Sequence, residues 1–263
     1  MGSATREALD RAKAELADAP EVTLRTGEQV LSAGRTIDTT AQLKALLADP
    51  SIEFADKGAI VTRIFGSYDA AAVRILSGIA QSRWSSPEQL IDGIEEIGIR
   101  AVARASGDDG SIESELFSFA RAVDSDDELE LALGSKLGDP AKRIAIVEQL
   151  LTGKASDATL VLLSYAVQTQ RGRRLVEVIA HIAEIVAQDA GAMVVSITAA
   201  APPTESQLDR LRASLSKRYG RTPRFAITID PRLIGGLRVQ IGDEVIDGSV
   251  ANRLADLRLK LAG

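Results

Sequence analysis

Apolar residues recur every three to four positions through the first 190 residues, and this spacing predicts one amphipathic helix after another. The stretches run over about Ala4–Ala17, Glu28–Thr36, Thr40–Ala48, Ala55–Phe65, Ala70–Arg83 and Pro87–Ala105. Val73, Leu76 and Ala80 mark the stripe of the fifth, and Leu90, Ile94, Ile97 and Ala101 that of the sixth. Pro20, Pro50, Pro87 and Pro140 all fall at helix boundaries of this reading, where the missing N–H does least harm. The period then changes. Val195, Ile197 and Ala199 alternate, as do Phe225, Ile227 and Ile229, and again Leu237, Val239 and Ile241, the two-residue rhythm of strands. A helix between the first two opens with Thr204 and Gln207, a capping box, carries Leu208, Leu211 and Leu215, and stops at Gly220. After Gly248, Ser249 caps a last helix with the stripe Val250, Leu254, Leu257 and Leu261. The expected order of the final module is β-α-β-β-α.

The helical pattern also repeats. Gln29–Asp38 and Glu115–Asp124 lie 86 residues apart; three of their ten positions are identical and four more are conservative. The same offset carries Ala59-Ile60-Val61 onto Ala145-Ile146-Val147 and Leu43 onto Leu129. A unit of about 85 residues exceeds the periods of about 33 to 47 that helical solenoids use. The chain therefore reads as mainly α: two tandem six-helix-type bundles followed by a small α+β domain. The boundaries are 1–105 for the first bundle, 94–191 for the second, which shares the linking helix, and 192–263 for the C-terminal domain.

Composition supports a helical core. Of 263 residues, 45% are apolar but only 3% aromatic, so Leu, Ile, Val and Ala must do the packing. With no Cys and His181 as the lone histidine, thiol chemistry, disulfides and two-His metal sites are excluded. No apolar run of about 18 residues exists to span a bilayer. The net charge of −6 is unevenly placed: Met193–Gly263 holds 11 basic and 7 acidic residues, while the rest carries a net −10. An acidic body with a mildly basic end implies a different partner at each end, and the basic excess is too small for a nucleic-acid footprint.

No candidate chemistry assembles. Thr152-Gly153-Lys154-Ala155-Ser156 resembles the tail of a phosphate loop, but Gln149 stands where the first Gly belongs and Ala155 replaces the hydroxyl. Asp108-Asp109 and Asp124-Asp126-Asp127 lack the ligand alternation of a calcium loop. Glu95 and Glu96 are consecutive on a helix and point in different directions, so they cannot flank one bond. Neither a catalytic site nor a cofactor or metal site is expected.

The unbroken segment Ile229-Asp230-Pro231-Arg232-Leu233-Ile234-Gly235-Gly236-Leu237-Arg238-Val239-Gln240-Ile241-Gly242-Asp243-Glu244-Val245-Ile246-Asp247-Gly248-Ser249-Val250 resembles the C-terminal signature of the δ subunit of F-type ATP synthases, the bacterial relative of the oligomycin-sensitivity-conferring protein. Tyr219-Gly220-Arg221 fits the same family, as does Arg171-Gly172-Arg173 at the turn before the last bundle helix. The additional upstream bundle looks like the actinobacterial form. This resemblance implies a non-catalytic stator subunit that ties the α/β head to the peripheral stalk, so that proton-driven rotation is coupled to ATP synthesis. The implied partners are the N-terminal helices of α subunits and the peripheral-stalk b subunit, with no nucleic acid and no insertion into the membrane. The implied location is peripheral, on the cytoplasmic face of the cell membrane. The family's bundle receives α through its first and fifth helices, which places Val73 and Leu76, and their equivalents Thr159 and Leu162, on candidate groove walls. The motif turns of the stalk-binding domain are Asp230, Pro231, Gly235, Gly236, Gly242, Asp243 and Gly248. A helical adaptor unrelated to the synthase is the rival reading of the residues alone.

Overall fold

The computed structural model describes residues 2–107, 110–134, 139–233, 236–242 and 244–247. Eleven helices precede the sheet: α1 (Ser3–Ala17), α2 (Leu24–Thr39), α3 (Ala41–Ala48), α4 (Phe54–Phe65), α5 (Ala70–Ala80), α6 (Pro87–Ser106), α7 (Ser111–Asp124), α8 (Asp127–Gly134), α9 (Pro140–Leu151), α10 (Asp157–Gln168) and α11 (Leu175–Asp189). They are followed by β1 (Ala192–Ala199), α12 (Glu205–Tyr219), β2 (Thr222–Ile229), β3 (Leu237–Ile241) and β4 (Glu244–Asp247). Contacts group the chain into two compact units, one of residues 1–109 with 131–175, the other of 110–130 with 176–263. Grouping by contact thus follows a different line from grouping by repeat.

The repeat is visible in the helix bounds. An offset of 86 carries α3 and α4 onto the bounds of α8 and α9, and carries α2 and α5 onto α7 and α10 to within two residues. The same shift places α1 inside α6. Helix α6 is therefore the last helix of one copy and the first of the next. Ser86 caps it by accepting from Gln89 N at 3.2 Å, Pro87 opens it, and Gly107, at φ 83°, closes it.

A helix with that double role needs apolar residues all round. Leu90, Ile91, Ile94, Ile97, Ile99, Ala101 and Val102 are all buried, at about 1.5–3 kcal/mol for each large side chain. Helix α2 lies closest, and glycine permits it. A Cβ on Gly27 would stand 2.7 Å from the Val102 main-chain nitrogen, and one on Gly98 would stand 2.7 Å from Leu31 Cδ2. Around these contacts Val30, Ala33, Ile37, Leu76 and Ile79 complete the first core.

Charge is buried on α6 as well. Glu95 is 3% exposed and receives the Arg171 guanidinium, with Arg173 Nη2 at 3.6 Å. Arg171 adopts φ 45° and Gly172 φ 85°, a tight turn that aims both arginines back at α6. The Arg-Gly-Arg motif is thus the counter-ion of a carboxylate 76 residues upstream. Glu96 points elsewhere, to Lys13 Nζ at 2.9 Å and Arg100 Nη2 at 2.7 Å. Burial raises its pKa, but those two cations outweigh burial and hold it below the ordinary glutamate value. Its contribution to stability is present at neutral pH and is lost as pH falls through the lowered value.

In the C-terminal sheet the order is β2-β1-β3-β4. β1 runs parallel to β2 and antiparallel to β3, with Ile197 opposite Ile227 and Val239. Val195, Ile197, Leu208, Leu215 and Val239 form a second core under α12. Thr204 N donates to Gln207 Oε1 at 2.8 Å, half of the expected capping box. Pro223 is tolerated because β2 is an edge strand. One element differs from expectation: Glu244–Asp247 forms a fourth strand, paired antiparallel with β3. Four residues without alternation carry no strand signal of their own; the hairpin turn at Gly242, with φ 55°, places them. The helix expected after Ser249 lies outside the described residues, as do Gly235, Asp243, Gly248 and Asp108-Asp109.

Two substitutions test this core. Gly27→Ala should lower stability by about 1–3 kcal/mol, because the added methyl meets main chain that cannot yield; denaturant unfolding measures it. Arg171→Ala should cost about 3–5 kcal/mol by leaving Glu95 buried without its main counter-ion. Glu95→Gln should restore part of that loss in the double variant, read as the melting temperature.

Candidate partner-binding site

Helix α1 buries Ala8 and Ala12 and half-buries Ala4; it packs on α5, where Gly78 stands so that a Cβ would lie 2.6 Å from Glu15 Cδ. The two helices therefore sit close, and the surface between them stays shallow. Thr5 ties α1 to the loop before α6: its Oγ1 donates to Ser85 Oγ at 3.0 Å and accepts from Ser85 N at 3.1 Å. Trp84 closes the end of the core, with Nε1 donating to the Ile79 carbonyl at 2.9 Å. Beside the first turns of α1, where the chain leaves α5, lies a groove of about 420 Å³, the α1/α5 groove, lined by Ala4 and Ala8 of α1, Phe54 at the start of α4, and Gln81 and Ser82 just after α5.

Phe54 is the groove's apolar anchor, 48% exposed at the start of α4. Lys57 lies over its ring at 5.8 Å while its own side chain is buried. Burial lowers the Lys57 pKa, with the Asp49 carboxylate opposing the shift. Arg11, Arg83 and Glu7 stand at the rim, giving a polar border to an apolar strip. Helix-in-groove recognition uses surfaces of this general make-up. Among the described residues, no three His, Asp or Glu side chains converge to hold a metal.

The four expected wall residues lie elsewhere. Val73 is half-buried on α5. Leu76 is 2% exposed, and Thr159 and Leu162 are 0% exposed. Leu76 and Leu162 occupy equivalent interior positions in the two copies, and Thr159 backs the cap of α10, its N–H donating to Ser156 Oγ at 3.3 Å. Stripe position nominated Val73 and Leu76, and the 86-residue offset Thr159 and Leu162; neighbouring helices bury the last three, while Val73 stays half-covered. The residues lining the α1/α5 groove are instead small or lie off the stripe, so hydrophobic periodicity passes over them.

At the other end, the motif turn takes a defined form. Leu233 N donates to the Asp230 carbonyl at 3.0 Å, with Pro231 at the second position, the residue order a type I turn favours. Asp230 Oδ1 also accepts from Arg232 N and Arg232 Nε, both at 3.0 Å; the Arg232 contacts hold the Asp230 carboxyl below its ordinary range. Gly236 leads into β3 at φ 80° and Gly242 turns out of it at φ 55°. From α12, Tyr219 Oη donates to Glu244 at 2.6 Å and Arg218 pairs with the same carboxylate at 2.7 Å, fastening the last strand to the helix. Elsewhere His181 is an exposed residue of α11, and Gly153-Lys154 forms the loop between α9 and α10.

A sequence profile of the ATP synthase delta (OSCP) subunit matches residues 99–261, more than half of the chain. The protein called ATP synthase subunit delta in Leifsonia xyli subsp. xyli is 44% identical over all of both chains. Its counterpart in Kineococcus radiotolerans is 37% identical over 99% of this chain and 95% of the relative. That of an Arthrobacter species is 37% identical over the whole of both. These relatives contain the first helical copy as well as the second, which removes the reading as an unrelated adaptor. The chain belongs to the ATP synthase delta (OSCP) family, the stator-linking subunits of F-type ATP synthases.

Proposed function

We propose that the chain works by holding rather than by reacting: the α1/α5 groove receives the N-terminal helix of an α subunit, and the sheet module takes the C-terminal end of the stalk b subunit. The observation that carries this reading is the groove itself, a small apolar patch of Ala4, Ala8 and the exposed Phe54 ring set within a charged and polar rim. An amphipathic helix would anchor side chains at i, i+3/4 and i+7 along it. A rotary synthase conserves torque only if its head is kept from turning with the rotor, and a link of this kind needs affinity at two ends and no catalytic group. The module of Met193–Gly263, with 11 basic and 7 acidic residues, suits a stalk segment rich in carboxylates, since complementary charge speeds and orients docking. None of the described helices is long and apolar enough to cross a membrane; attachment at the cytoplasmic face of the membrane would come through these partners.

Phe54→Asp should weaken binding of a synthetic α N-terminal peptide at least about tenfold with little change in melting temperature, because Phe54 is exposed in the free chain. Leu76→Asp and Leu162→Asp should instead unfold the chain, as buried charges without partners. Normal peptide binding by Phe54→Asp, measured by calorimetry, would place the α site elsewhere. At the other end, Gly236→Val forces a branched side chain to φ 80°, at a cost of order 1 kcal/mol or more. It should reduce capture of the b subunit in a pull-down while α-peptide binding stays normal.

A further inference from the structure

The three identities between the duplicated decapeptides are Ser32 with Ser118, Arg35 with Arg121, and Asp38 with Asp124. The Ser and Arg are three residues apart and therefore neighbours on one helix face. In the second copy the pair has a visible use. Helix α7 packs against β2, the edge strand of the sheet. Arg121 Nη1 donates to the main-chain carbonyl of Ile227 at 2.9 Å, and Nη2 donates to Ser118 Oγ at 3.2 Å. An edge strand presents main-chain groups that its own sheet leaves unpaired, and a guanidinium gives them a charge-assisted donor. The seat is completed by Glu113, 3.5 Å from Arg224 Nε of β2. Gly110 belongs to it too, since a Cβ there would lie 2.8 Å from Arg224 Cζ.

On α2 the same pair faces a groove. About 300 Å³ lies between α2 and the helices α9 and α10. Ile144, Leu160 and Val161 enter it half-exposed. Arg35 lines it too, and its Nε is buried with no hydrogen-bond partner. Glu28 and Glu148 place exposed carboxylates on the α2 and α9 sides. A buried donor without an acceptor is unfavourable, and in the duplicate the equivalent guanidinium donates, through Nη1, to a main-chain carbonyl.

We infer that this groove seats an extended segment of another subunit of the synthase, much as α7 seats β2. The segment places a main-chain carbonyl on Arg35, apolar side chains over Leu160 and Val161, and a lysine or arginine between Glu28 and Glu148. Glu28 and Glu148 make the border of the groove acidic, which suits a basic segment, and the family of this chain sets it among the other subunits of the synthase, so the segment is assigned to one of them. The site shares no residue with the α1/α5 groove and does not depend on the assignment of α to that groove.

The test is photo-crosslinking in the assembled synthase purified from membranes, with benzoylphenylalanine at Val161 in one sample and at Phe54 in another. The Val161 probe should yield one inter-subunit product whose crosslinked segment contains lysine or arginine. In complexes matched for content of this chain, Arg35→Ala should lower its yield about tenfold and leave the Phe54 product unchanged. The inference is overturned if the intact complex gives no inter-subunit product from Val161. It is equally overturned if that product is a lipid adduct or a second copy of this chain, or if Arg35→Ala leaves the yield as it was. A Phe54 probe that misses α bears only on the α1/α5 reading.

Discussion

Between Leu90 and Ala103, helix α6 exposes only Asp92 to water. Being the last helix of one copy and the first of the next, it must be packed by α1, α2, α3, α5 and α10, and every large apolar residue from Leu90 to Val102 is buried. Two consequences follow. The neighbours must approach closely, which Gly27, Gly34 and Gly98 allow by lacking a Cβ. The polar residues that a helix of twenty cannot avoid must be neutralised in place, which Arg171 and Arg173 do for Glu95, and Lys13 and Arg100 for Glu96. Removing either device leaves a void, a clash or an orphan charge at the centre of the unit.

Duplication gave the chain two sets of the same helices, and the copies have diverged where their neighbours differ. Gly27 lets α2 close on α6, while the equivalent Glu113 on α7 pairs with Arg224 of β2. Leu24 opens α2 behind a threonine cap, while Gly110 stands at the matching place before α7, next to the Arg224 guanidinium. Inside, Leu76 and Leu162 fill the same position in both copies, while Ala33 corresponds to Phe119 and Ile79 to Tyr165, all of them buried, so the two interiors are packed differently.

A link that bears load between two partners gains from rigid ends. The sheet module obtains rigidity from turns whose chemistry is local, Asp230-Pro231 with its Arg232 clasp and the positive φ of Gly236 and Gly242. It also obtains it from α12, whose Tyr219 and Arg218 hold Glu244 of the edge strand β4. The α1/α5 groove obtains its shape from small residues and from the Thr5–Ser85 tie.

Local physics made much of this legible in the sequence. The 3.6-residue stripes, the helix boundary at Pro87, the cap at Thr204 and the alternation of Val195 with Ile197 depend only on near neighbours in the chain, so helices, strands and the 86-residue repeat could be read directly. The family signature around Asp230-Pro231 is local for the same reason, a turn encoded in four residues. Tertiary structure alone decided the rest. Periodicity says that Leu76 and Leu162 face something apolar, but not whether that face is a groove or an interior, because burial depends on helices far away in sequence. Glu244–Asp247 became a strand only through pairing with β3, and Glu95 found its counter-ion 76 residues downstream. Phe54 drew no attention because it lies off every stripe; its exposure follows from where α1 and α5 end, a relation between elements that no single segment encodes.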